Sequence, residues 1–395
     1  MEKDKLPIES PAVDPAVLEQ IRSAVRDLCK RFPGAYWREL DRHKAYPTEF
    51  VQAMTEAGYL GVLIPEEFGG SSLGLTVAAA ILEEVHASGG NAAALHAQMY
   101  TMGTVLRHGS PEQKRRWLPE IAVGRLRLQA FGVTEPGAGT DTTAIRTTAV
   151  GSGATYRING QKIWTSRAEH SDLMLLLART APFDPERKTA GLSVFLVDMR
   201  EAVGRGMEIR PIRTMLNHAT TEVFFDNLEI PAENRIGEEG RGFRYILDGM
   251  NAERILIAAE CLGDCRWFVG KARDYACERV VFGRPIGQNQ GVQFPIARSY
   301  AESEAARLMV YRAAALYDAG ISCGAEANMA KLLASEASWR AADTCLQTHG
   351  GFGFAEEFDV ERKFRETRLY QVAPVSTNLI LAYLGEHVLG MPRSY

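Results

Sequence analysis

The spacing of apolar residues changes twice along this chain, and each change separates one kind of secondary structure from another. From Ala16 to about Ile121 the sequence is rich in Ala, Leu and Glu, with the spacing typical of helices. From about Leu126 to Asn234 the period falls to two and β-branched residues become frequent, as in strands. After a polar loop at 231–242 the helical spacing returns. The pattern predicts three parts, in the order α, β, α.

Domain boundaries are predicted at these changes. They give a flexible leader at residues 1–15, an N-terminal helical domain at 16–125, a central β domain at 126–240 and a C-terminal helical domain at 241–395. Domains of this size are long enough to bury their own cores.

Local patterns predict particular elements within these parts. Residues 147–150 and 155–158 flank a short Gly/Ser loop and predict a hairpin, and Asn159-Gly160 predicts a second turn. In the C-terminal part an apolar stripe predicts a helix from about Gln293 to Asp318. The members of that stripe are Ala301, Ala305, Leu308, Met309, Ala313 and Leu316.

Charge and cysteine content narrow the classes of function. The net charge is −4, from 45 Lys and Arg against 49 Asp and Glu, with both signs interspersed, so no nucleic-acid partner is expected. No apolar run is long enough to span a membrane, and the first residues lack the apolar segment of a secretory signal. The six cysteines form no C-x-x-C pair, and no histidine has metal-ligand spacing. We expect a reduced, cytoplasmic protein without a metal site.

Two motifs in the β part contain residue types that suit a flat ligand. FGVTEPGAGTD, residues 131–141, has glycines that let backbone amides approach a ligand and hydroxyls at Thr134 and Thr140. KIWTS, residues 162–166, places an indole beside two hydroxyl residues. Each has an ordinary alternative, because the first could be a plain connection between strands and Trp164 could be a core residue.

Two further motifs lie in the C-terminal part. CERVVFGRPIGQNQ, residues 277–290, brackets an aromatic residue and a turn with Arg279 and Arg284. These arginines could clamp a pyrophosphate, or could form a solvated pair at a helix end. QTHGGFGF, residues 347–354, has consecutive glycines that permit backbone contact with a ligand, whereas its histidine alone more often serves packing.

A carboxylate, Glu253, falls on an apolar helix face. It shares that face with Ile246, Met250 and Ile257. Desolvation there would raise the pKa of a carboxyl toward values useful to a general base. The alternative is a Glu at the edge of the face, paired with a nearby arginine.

Taken in order, VTEPGAGTD, KIWTS, ERVVFGRPIG and LQTHGGFGF resemble the acyl-CoA dehydrogenase family. The resemblance runs from about Ala16 to Leu389. It implies an α+β multidomain fold with an N-terminal helical domain, a central β-barrel-like domain and a C-terminal four-helix bundle. It also implies FAD as cofactor and a homotetramer built as a dimer of dimers.

The resemblance gives the motif residues their parts in the site. Those that would contact FAD within their own subunit are Phe131, Val133 and Thr134 along the flavin, Trp164 and Ser166 (toward N5) at its other side, and Ser376 and Asn378. Those that would reach the FAD of the partner subunit are Arg279, Phe282, Gln347 and Gly351. Those that would hold the CoA portion are Thr140, Asn251 and Arg254.

The reaction implied by the resemblance is desaturation of an acyl-CoA thioester to the 2-enoyl-CoA. A carboxylate removes the α-proton while hydride passes to flavin N5. A ribityl hydroxyl and a backbone N–H polarise the thioester carbonyl. An electron-transferring flavoprotein or similar acceptor then takes the electrons.

This sequence departs from the common family pattern at one loop. Most members carry the catalytic Glu shortly after a segment like RLYQ, here residues 368–371, but Pro374 stands at that position. A minority, including isovaleryl-CoA dehydrogenase and long-chain members, places the base on the helix that here carries Glu253. The resemblance therefore makes Glu253 the best candidate for the base.

Pro374 also removes a hydrogen-bond donor. The N–H that polarises the carbonyl belongs to this position, and proline has none. Val375 or a shifted loop could supply the donor, or the ribityl hydroxyl could act alone. Loss of one such donor can cost about a hundredfold in rate.

Two other readings of the sequence stay open. One is a flavoenzyme of the same fold with oxidase or elimination chemistry on a CoA thioester. The other is a non-catalytic subunit that binds FAD and acyl-CoA. The acyl group, the physiological electron acceptor and the pathway are not specified by the sequence.

Overall fold

The structure, a computed structural model, describes residues 13–393, which divide into two compact units. Residues 13–43, 73–92 and 251–393 form one, the helical unit, and residues 44–72 and 93–250 form the other, the mixed unit. The predicted leader lies outside the described residues except for its last three, of which Pro15 begins the first helix.

The order α, β, α is confirmed. The helices, in chain order, are α1 Pro15–Cys29, α2 Gly34–His43, α3 Thr48–Glu56, α4 Gly74–Ala87, α5 Ala93–His108, α6 Pro111–Ala122, α7 Met199–Ala202, α8 Gly242–Glu278, α9 Gln290–Asp318, α10 Gly324–His349, α11 Val360–Arg368 and α12 Thr377–Tyr383, followed by a π-helical turn at Leu384–Val388. The strands are β1 Leu128–Gly132, β2 Thr148–Ser152, β3 Thr155–Ser166, β4 Leu173–Arg179, β5 Leu192–Asp198, β6 Met207–Pro211, β7 Thr220–Pro231, β8 Arg235–Ile236, β9 Val280–Val281 and β10 Arg284–Pro285.

The starts of α1 and α6 follow capping signals in the sequence. Asp14 accepts a hydrogen bond from the Ala16 N–H at 2.8 Å and caps α1. Ser110 and Gln113 form a capping box at α6, which has Pro111 as its first residue.

Strands β1 to β8 form one sheet in the order β6-β7-β3-β2-β4-β5-β8, with β1 beside β4. The predicted hairpin is confirmed, because β2 pairs antiparallel with β3 from Thr148↔Asn159 to Ser152↔Thr155. The strand β4 is buried along its whole length, as expected for a strand with neighbours on both edges and packing on both faces.

The turn predicted at Asn159-Gly160 is wrong, since β3 runs through it. Pairing with β7 continues on both sides, and the register shifts between Ile158 and Gly160. Gly160 has φ 146°, and a Cβ there would lie 2.5 Å from the Thr147 hydroxyl. Glycine therefore serves a close approach of backbone to side chain instead of a turn.

In the helical unit α9 lies along α10, and α11 packs against α10. Phe268 and Ala272 of α8 share a core cluster with Ala341 and Cys345 of α10. At Gly263 of α8 a Cβ would lie 2.3 Å from the Glu83 carbonyl oxygen of α4. The two helices therefore approach so closely at this point that only glycine fits.

Buried charges fix the position of α4 within the helical unit. Glu83 and Glu84 are fully buried and meet Arg22 of α1 and Arg266 of α8 at N–O distances of 2.6–3.0 Å. A buried carboxylate left without its arginine costs several kcal/mol, so these pairs strongly disfavour other registers of α1 and α8 against α4.

The apolar stripe of α9 is only partly buried. The helix itself is confirmed, but Ala301, Ala305 and Leu308 are exposed, Leu308 by 78%, while Ala313 and Leu316 are buried. Buried serines 299 and 303 occupy the inward positions over the first half of the helix. The first half of α9 thus carries apolar side chains on its outer face.

Asp318 at the end of α9 caps α4 from across the helical unit. Its carboxylate accepts from the Leu75 and Thr76 N–H groups at 2.6 and 2.9 Å and from the Thr76 hydroxyl at 2.6 Å. A carboxylate is unfavourable at its own helix C-terminus but favourable at the N-terminus of α4, where the free N–H groups need an acceptor.

We expect Asp318→Ala to lower the free energy of unfolding by about 2 kcal/mol, because hydrogen bonds to a charged acceptor are lost. Urea unfolding of the purified protein measures the change. Asp343→Ala, which removes an exposed carboxylate from α10, is the matched control and should change stability by less than about 0.5 kcal/mol. Equal losses in the two variants would contradict the capping role.

Candidate active site

Two segments of the mixed unit, residues 131–135 and 162–166, are held side by side. The Ile163 N–H donates to the Thr134 carbonyl at 2.9 Å, and the Lys162 ammonium donates to the Val133 carbonyl at 3.0 Å. The motifs FGVTEPGAGTD and KIWTS, which are separated by about twenty residues in the sequence, are therefore neighbours in the fold.

A buried ion pair, Lys162–Glu135, joins these segments. Lys162 is fully buried, and its Nζ lies 2.8 Å from Glu135 Oε1. Glu135 also accepts from the Arg146 and Thr147 N–H groups at 2.6 and 2.9 Å. Burial lowers the pKa of Lys162 to about 8 despite the carboxylate. Burial opposes ionisation of Glu135, but the Lys162 charge and the hydrogen bonds from Lys162, Thr147 and Arg146 together outweigh it and lower the pKa of this carboxyl.

Trp164 is held in an unusual backbone conformation. It has φ 60° and lies where the β3–β7 register shifts between Lys162 and Thr165. A bulky residue in the left-handed region costs about 1–3 kcal/mol, and such strain concentrates at functional sites. A register shift of this kind re-aims a side chain, and the indole is 57% exposed. Ser166 follows, half-buried and back in register with Thr220.

Phe131, Val133 and Thr134 are all half-buried on the neighbouring segment. The ring of Phe131 meets that of Tyr100 edge to face at 5.5 Å, and Phe131 and Val133 pack against the core of the mixed unit. An exposed indole in a strained backbone, beside partly exposed apolar and hydroxyl side chains, fits the flat ring system and polar rim of FAD. Thr140 is exposed, near the end of its loop.

Glu253 lies in α8 and is 4% exposed. Its neighbour Arg254 is half-buried and donates from Nη1 to Asn251 Oδ1 at 3.2 Å. Burial lowers the pKa of Arg254, and the Glu253 charge works against that lowering. Within residues 13–393 the Arg254 Nε has no hydrogen-bond partner, so this guanidinium can still donate to a ligand.

The loop 372–376, which contains Pro374, lies in the same helical unit. The Ala373–Pro374 bond is cis, and Val375 has φ 61°, an outlier for a β-branched residue. The Val375 carbonyl accepts from the Nζ of the buried Lys331 of α10 at 2.9 Å. Ser376 caps α12 by accepting from the Leu379 N–H, and Asn378 is exposed.

Arg279 and Phe282 lie at the small β9–β10 hairpin. Phe282 and Gly283 form its two-residue turn with φ 52° and 76°, the type I′ geometry, and Phe282 is fully exposed. Arg279 is exposed, and its guanidinium lies 5.8 Å from the centre of the Phe352 ring. Gln347 and Gly351 are exposed in the segment that carries that ring.

The structure thus brings Phe131, Val133, Thr134, Trp164 and Ser166 together within the mixed unit, with Thr140 farther along the same loop. It places the remaining predicted residues in the helical unit: Asn251, Glu253, Arg254, Arg279, Phe282, Gln347, Gly351, Ser376 and Asn378.

A further pocket of the mixed unit escaped sequence reasoning. It has a volume of about 330 Å³ and is lined by Thr189, Ala190, Gly240, Arg241, Phe243, Arg244 and Leu247. Arg244 gives this pocket a positive charge that suits an anionic group such as a phosphate, whereas Arg241 is paired with Glu238 at 3.2 Å. The sequence signal available for this pocket was the pair Arg241 and Arg244, which lie in the polar loop 231–242 and just after it.

Lys162, Glu135 and Lys331 were also missed as supporting residues. The sequence alone does not distinguish a buried lysine from one at the surface, and only the fold shows that these lysines are buried.

Among residues 13–393 no helix is long and apolar enough to cross a membrane, and no group of three His, Cys, Asp or Glu side chains is placed to hold a metal ion.

Sequence models of three domains match the chain: acyl-CoA dehydrogenase N-terminal domain over residues 16–125, middle domain over 130–228 and C-terminal domain over 240–388. The chain belongs to the acyl-CoA dehydrogenase family, whose members are FAD-dependent enzymes.

Individual relatives agree with this assignment. The acyl-CoA dehydrogenase fadE12 of Mycobacterium bovis is 35% identical over 384 residues, which cover 95% of this chain and 97% of the relative. A solved glutaryl-coenzyme A dehydrogenase in complex with glutaryl-CoA has a TM-score of 0.90 at 30% identity and covers 98% of both chains. PigA, solved with FAD and proline, has a TM-score of 0.90 at 25% identity, with coverage of 97% and 100%.

We expect Lys162→Met to destabilise the protein by roughly 3–5 kcal/mol, because it leaves Glu135 buried without its partner. The double variant Lys162→Met/Glu135→Gln should recover part of that loss, since no uncompensated charge remains. Urea unfolding measures both, with the exposed Lys188→Met as matched control. A single variant as stable as the control would show that the pair does not hold the two segments.

Proposed function

We propose that this protein desaturates an acyl-CoA thioester between its α- and β-carbons, with Glu253 as the base that removes the α-proton. The observation that carries the proposal is the buried carboxylate on α8, beside Arg254. In the loop after RLYQ, Pro374 stands where the family resemblance implies the catalytic glutamate of most members. A carboxylate in such surroundings is poorly solvated and hence a stronger base than one in water.

FAD, when bound, would supply the acceptor for the hydride that leaves the β-carbon. Phe131, Val133, Thr134, Trp164 and Ser166 would hold its ring system, Ser376 and Asn378 would contact it from the same subunit, and Arg279, Phe282, Gln347 and Gly351 would reach it from the partner subunit. Support comes from the strained and exposed Trp164 and from the proximity of its segment to residues 131–134.

The CoA portion would be held by Thr140, Asn251 and Arg254. Arg254 supports this assignment because its Nε makes no hydrogen bond within the described part of the chain. The guanidinium group of Arg244 in the pocket of the mixed unit adds positive charge that suits a phosphate of CoA. The Val375 N–H is the first backbone donor after Pro374, and we assign it the polarisation of the thioester carbonyl.

Assembly as a homotetramer is part of the proposal. The exposed apolar side chains on the outer face of α9, Leu308 among them, and the fully exposed Phe282 are surfaces that a second copy of the chain would cover. The six cysteines are thiols rather than disulfides and five of them are buried, which suits a reducing compartment such as the cytoplasm. An electron-transferring flavoprotein or similar acceptor would take the electrons.

We expect Glu253→Gln to slow flavin reduction by at least about a hundredfold, because a neutral amide cannot accept the α-proton. Anaerobic mixing with a panel of acyl-CoA thioesters, followed by loss of the visible absorbance of the flavin, measures the rate. Asp274→Asn, an exposed carboxylate on the same helix, is the matched control. A Glu253→Gln variant that reduces its flavin at the parental rate would exclude this residue as the base.

The same experiment separates the other chemistries. Rapid release of peroxide in air, or a product other than the 2-enoyl-CoA, would indicate oxidase or elimination chemistry. Binding of FAD and acyl-CoA without flavin reduction across the whole panel would indicate a non-catalytic subunit.

We expect Phe282→Ala to weaken retention of FAD without changing the stability of the apoprotein, because a fully exposed side chain contributes nothing to its own subunit. The FAD-to-protein ratio after gel filtration and the urea midpoint of the apoprotein measure the two effects. Phe183→Ala, a half-exposed aromatic of the mixed unit, is the control. Unchanged retention of FAD would refute contact of Phe282 with the cofactor of a neighbour.

A further inference from the structure

Lys331 is a buried ammonium without a carboxylate partner at contact distance. It lies on α10 with no exposed surface, and its Nζ donates to the Val375 carbonyl at 2.9 Å. Among residues 13–393, no carboxylate oxygen lies within 4.0 Å of Nζ. A buried charge is costly unless neighbouring groups compensate it, so this lysine is retained against a free-energy cost.

The charged groups that act on Lys331 come from α8. Burial lowers the pKa of Lys331 to about 8, and the Arg254 guanidinium adds to that lowering, whereas the Glu253 carboxylate favours the ammonium and works against it. The third titratable neighbour is Cys261, and burial raises the pKa of its thiol well above the ordinary value, so it stays uncharged. The attraction between Lys331 and Glu253 is mutual, so the ammonium also favours the ionised form of Glu253.

The group that Lys331 holds is itself unusual. Val375 is β-branched and lies in the left-handed region, a conformation that persists only when its surroundings enforce it. The next residue, Ser376, caps α12, and the preceding residue is Pro374. Fixing the Val375 carbonyl therefore fixes the loop between the proline and the start of α12.

We infer that Lys331 is a positioning residue of the proposed active site, which anchors the 372–376 loop through the Val375 carbonyl and favours ionised Glu253 by its charge. The second part of the inference rests on the proposed function, because a change in the ionisation of Glu253 alters the reaction rate only if Glu253 is the catalytic base. Its first part concerns the loop alone.

Lys331→Met and Lys331→Gln, made in the holoenzyme, test both parts. The rate of anaerobic flavin reduction is measured from acid to alkaline pH, and hydrogen exchange of the backbone amides in peptides covering residues 369–377 is measured by mass spectrometry. Lys271→Met, an exposed lysine of α8, is the matched control. Lys331→Gln keeps a neutral donor at the position and provides a second folded protein if the methionine variant fails to fold.

We expect the acid limb of the pH–rate profile to move to higher pH in both variants by about half a unit or more, a rate loss of about threefold at acid pH. The sign follows from the charge: without the ammonium, a smaller fraction of Glu253 is ionised at a given pH. We expect amides of 369–377 to exchange faster in Lys331→Met than in the parent, and Lys271→Met to leave both measurements unchanged.

A merely structural lysine gives a different result. A rate that falls by the same factor at every pH, with the acid limb in place, would overturn the electrostatic part. Parental exchange rates over 369–377 in Lys331→Met would overturn the anchoring part. If Glu253→Gln retains the parental rate, it is the proposed function that fails, and the exchange measurement still tests the anchor because it needs no turnover.

Discussion

The cost of burying charge constrains this structure more than any single apolar contact. Glu83 and Glu84 are fully buried on α4 and are tolerated only because arginines of α1 and α8 reach them. Lys162 is tolerated because Glu135 and the Val133 carbonyl compensate it. Since an unpaired buried charge costs several kcal/mol, each group allows one arrangement of the elements that surround it. The helices and strands that carry the proposed site are placed by these pairs.

The arrangement explains why supporting residues matter as much as the residues that would touch a ligand. Phe131 to Thr134 and Trp164 to Ser166 belong to segments that are separate in the sequence. The Lys162–Glu135 pair and the Ile163–Thr134 hydrogen bond join them. In the helical unit Lys331 has the corresponding position, with one bond to the loop of Pro374 and a charge that interacts with Glu253. Pro374 removes a backbone N–H donor from the proposed site. The remaining groups of the site must therefore be held in position by contacts with supporting residues such as Lys331.

Patterns of long range in the sequence predicted the fold well, and local signals predicted it less well. The α, β, α order and the helix ending at Asp318 follow from periodicity, which reflects burial of whole faces. Of the local signals, the Gly/Ser loop predicted the β2–β3 hairpin correctly. The turn at Asn159-Gly160 was wrong because pairing with β7 outweighs a local turn preference, a tertiary effect that two residues do not encode. The apolar stripe of α9 predicted a helix correctly but not which face is covered.

The proposed site was predictable only in part for a related reason. The family resemblance names residues that would contact FAD or CoA, and the structure shows where each one lies. The resemblance does not name Lys331 or predict the left-handed conformation of Val375. Burial of a lysine and a backbone dihedral angle both depend on neighbours distant in the sequence. The basic pocket at Arg241 and Arg244 was missed for the opposite reason, since its arginines look like an ordinary polar loop.

The hairpin that presents Phe282 has a consequence for how the protein would behave on dilution. An aromatic ring at the tip of a type I′ turn gains nothing from its own subunit. If it covers the cofactor of a neighbouring subunit, cofactor binding and subunit association are thermodynamically coupled. Each process then makes the free energy of the other more favourable. Loss of cofactor would then depend on protein concentration, and added FAD would shift the association equilibrium.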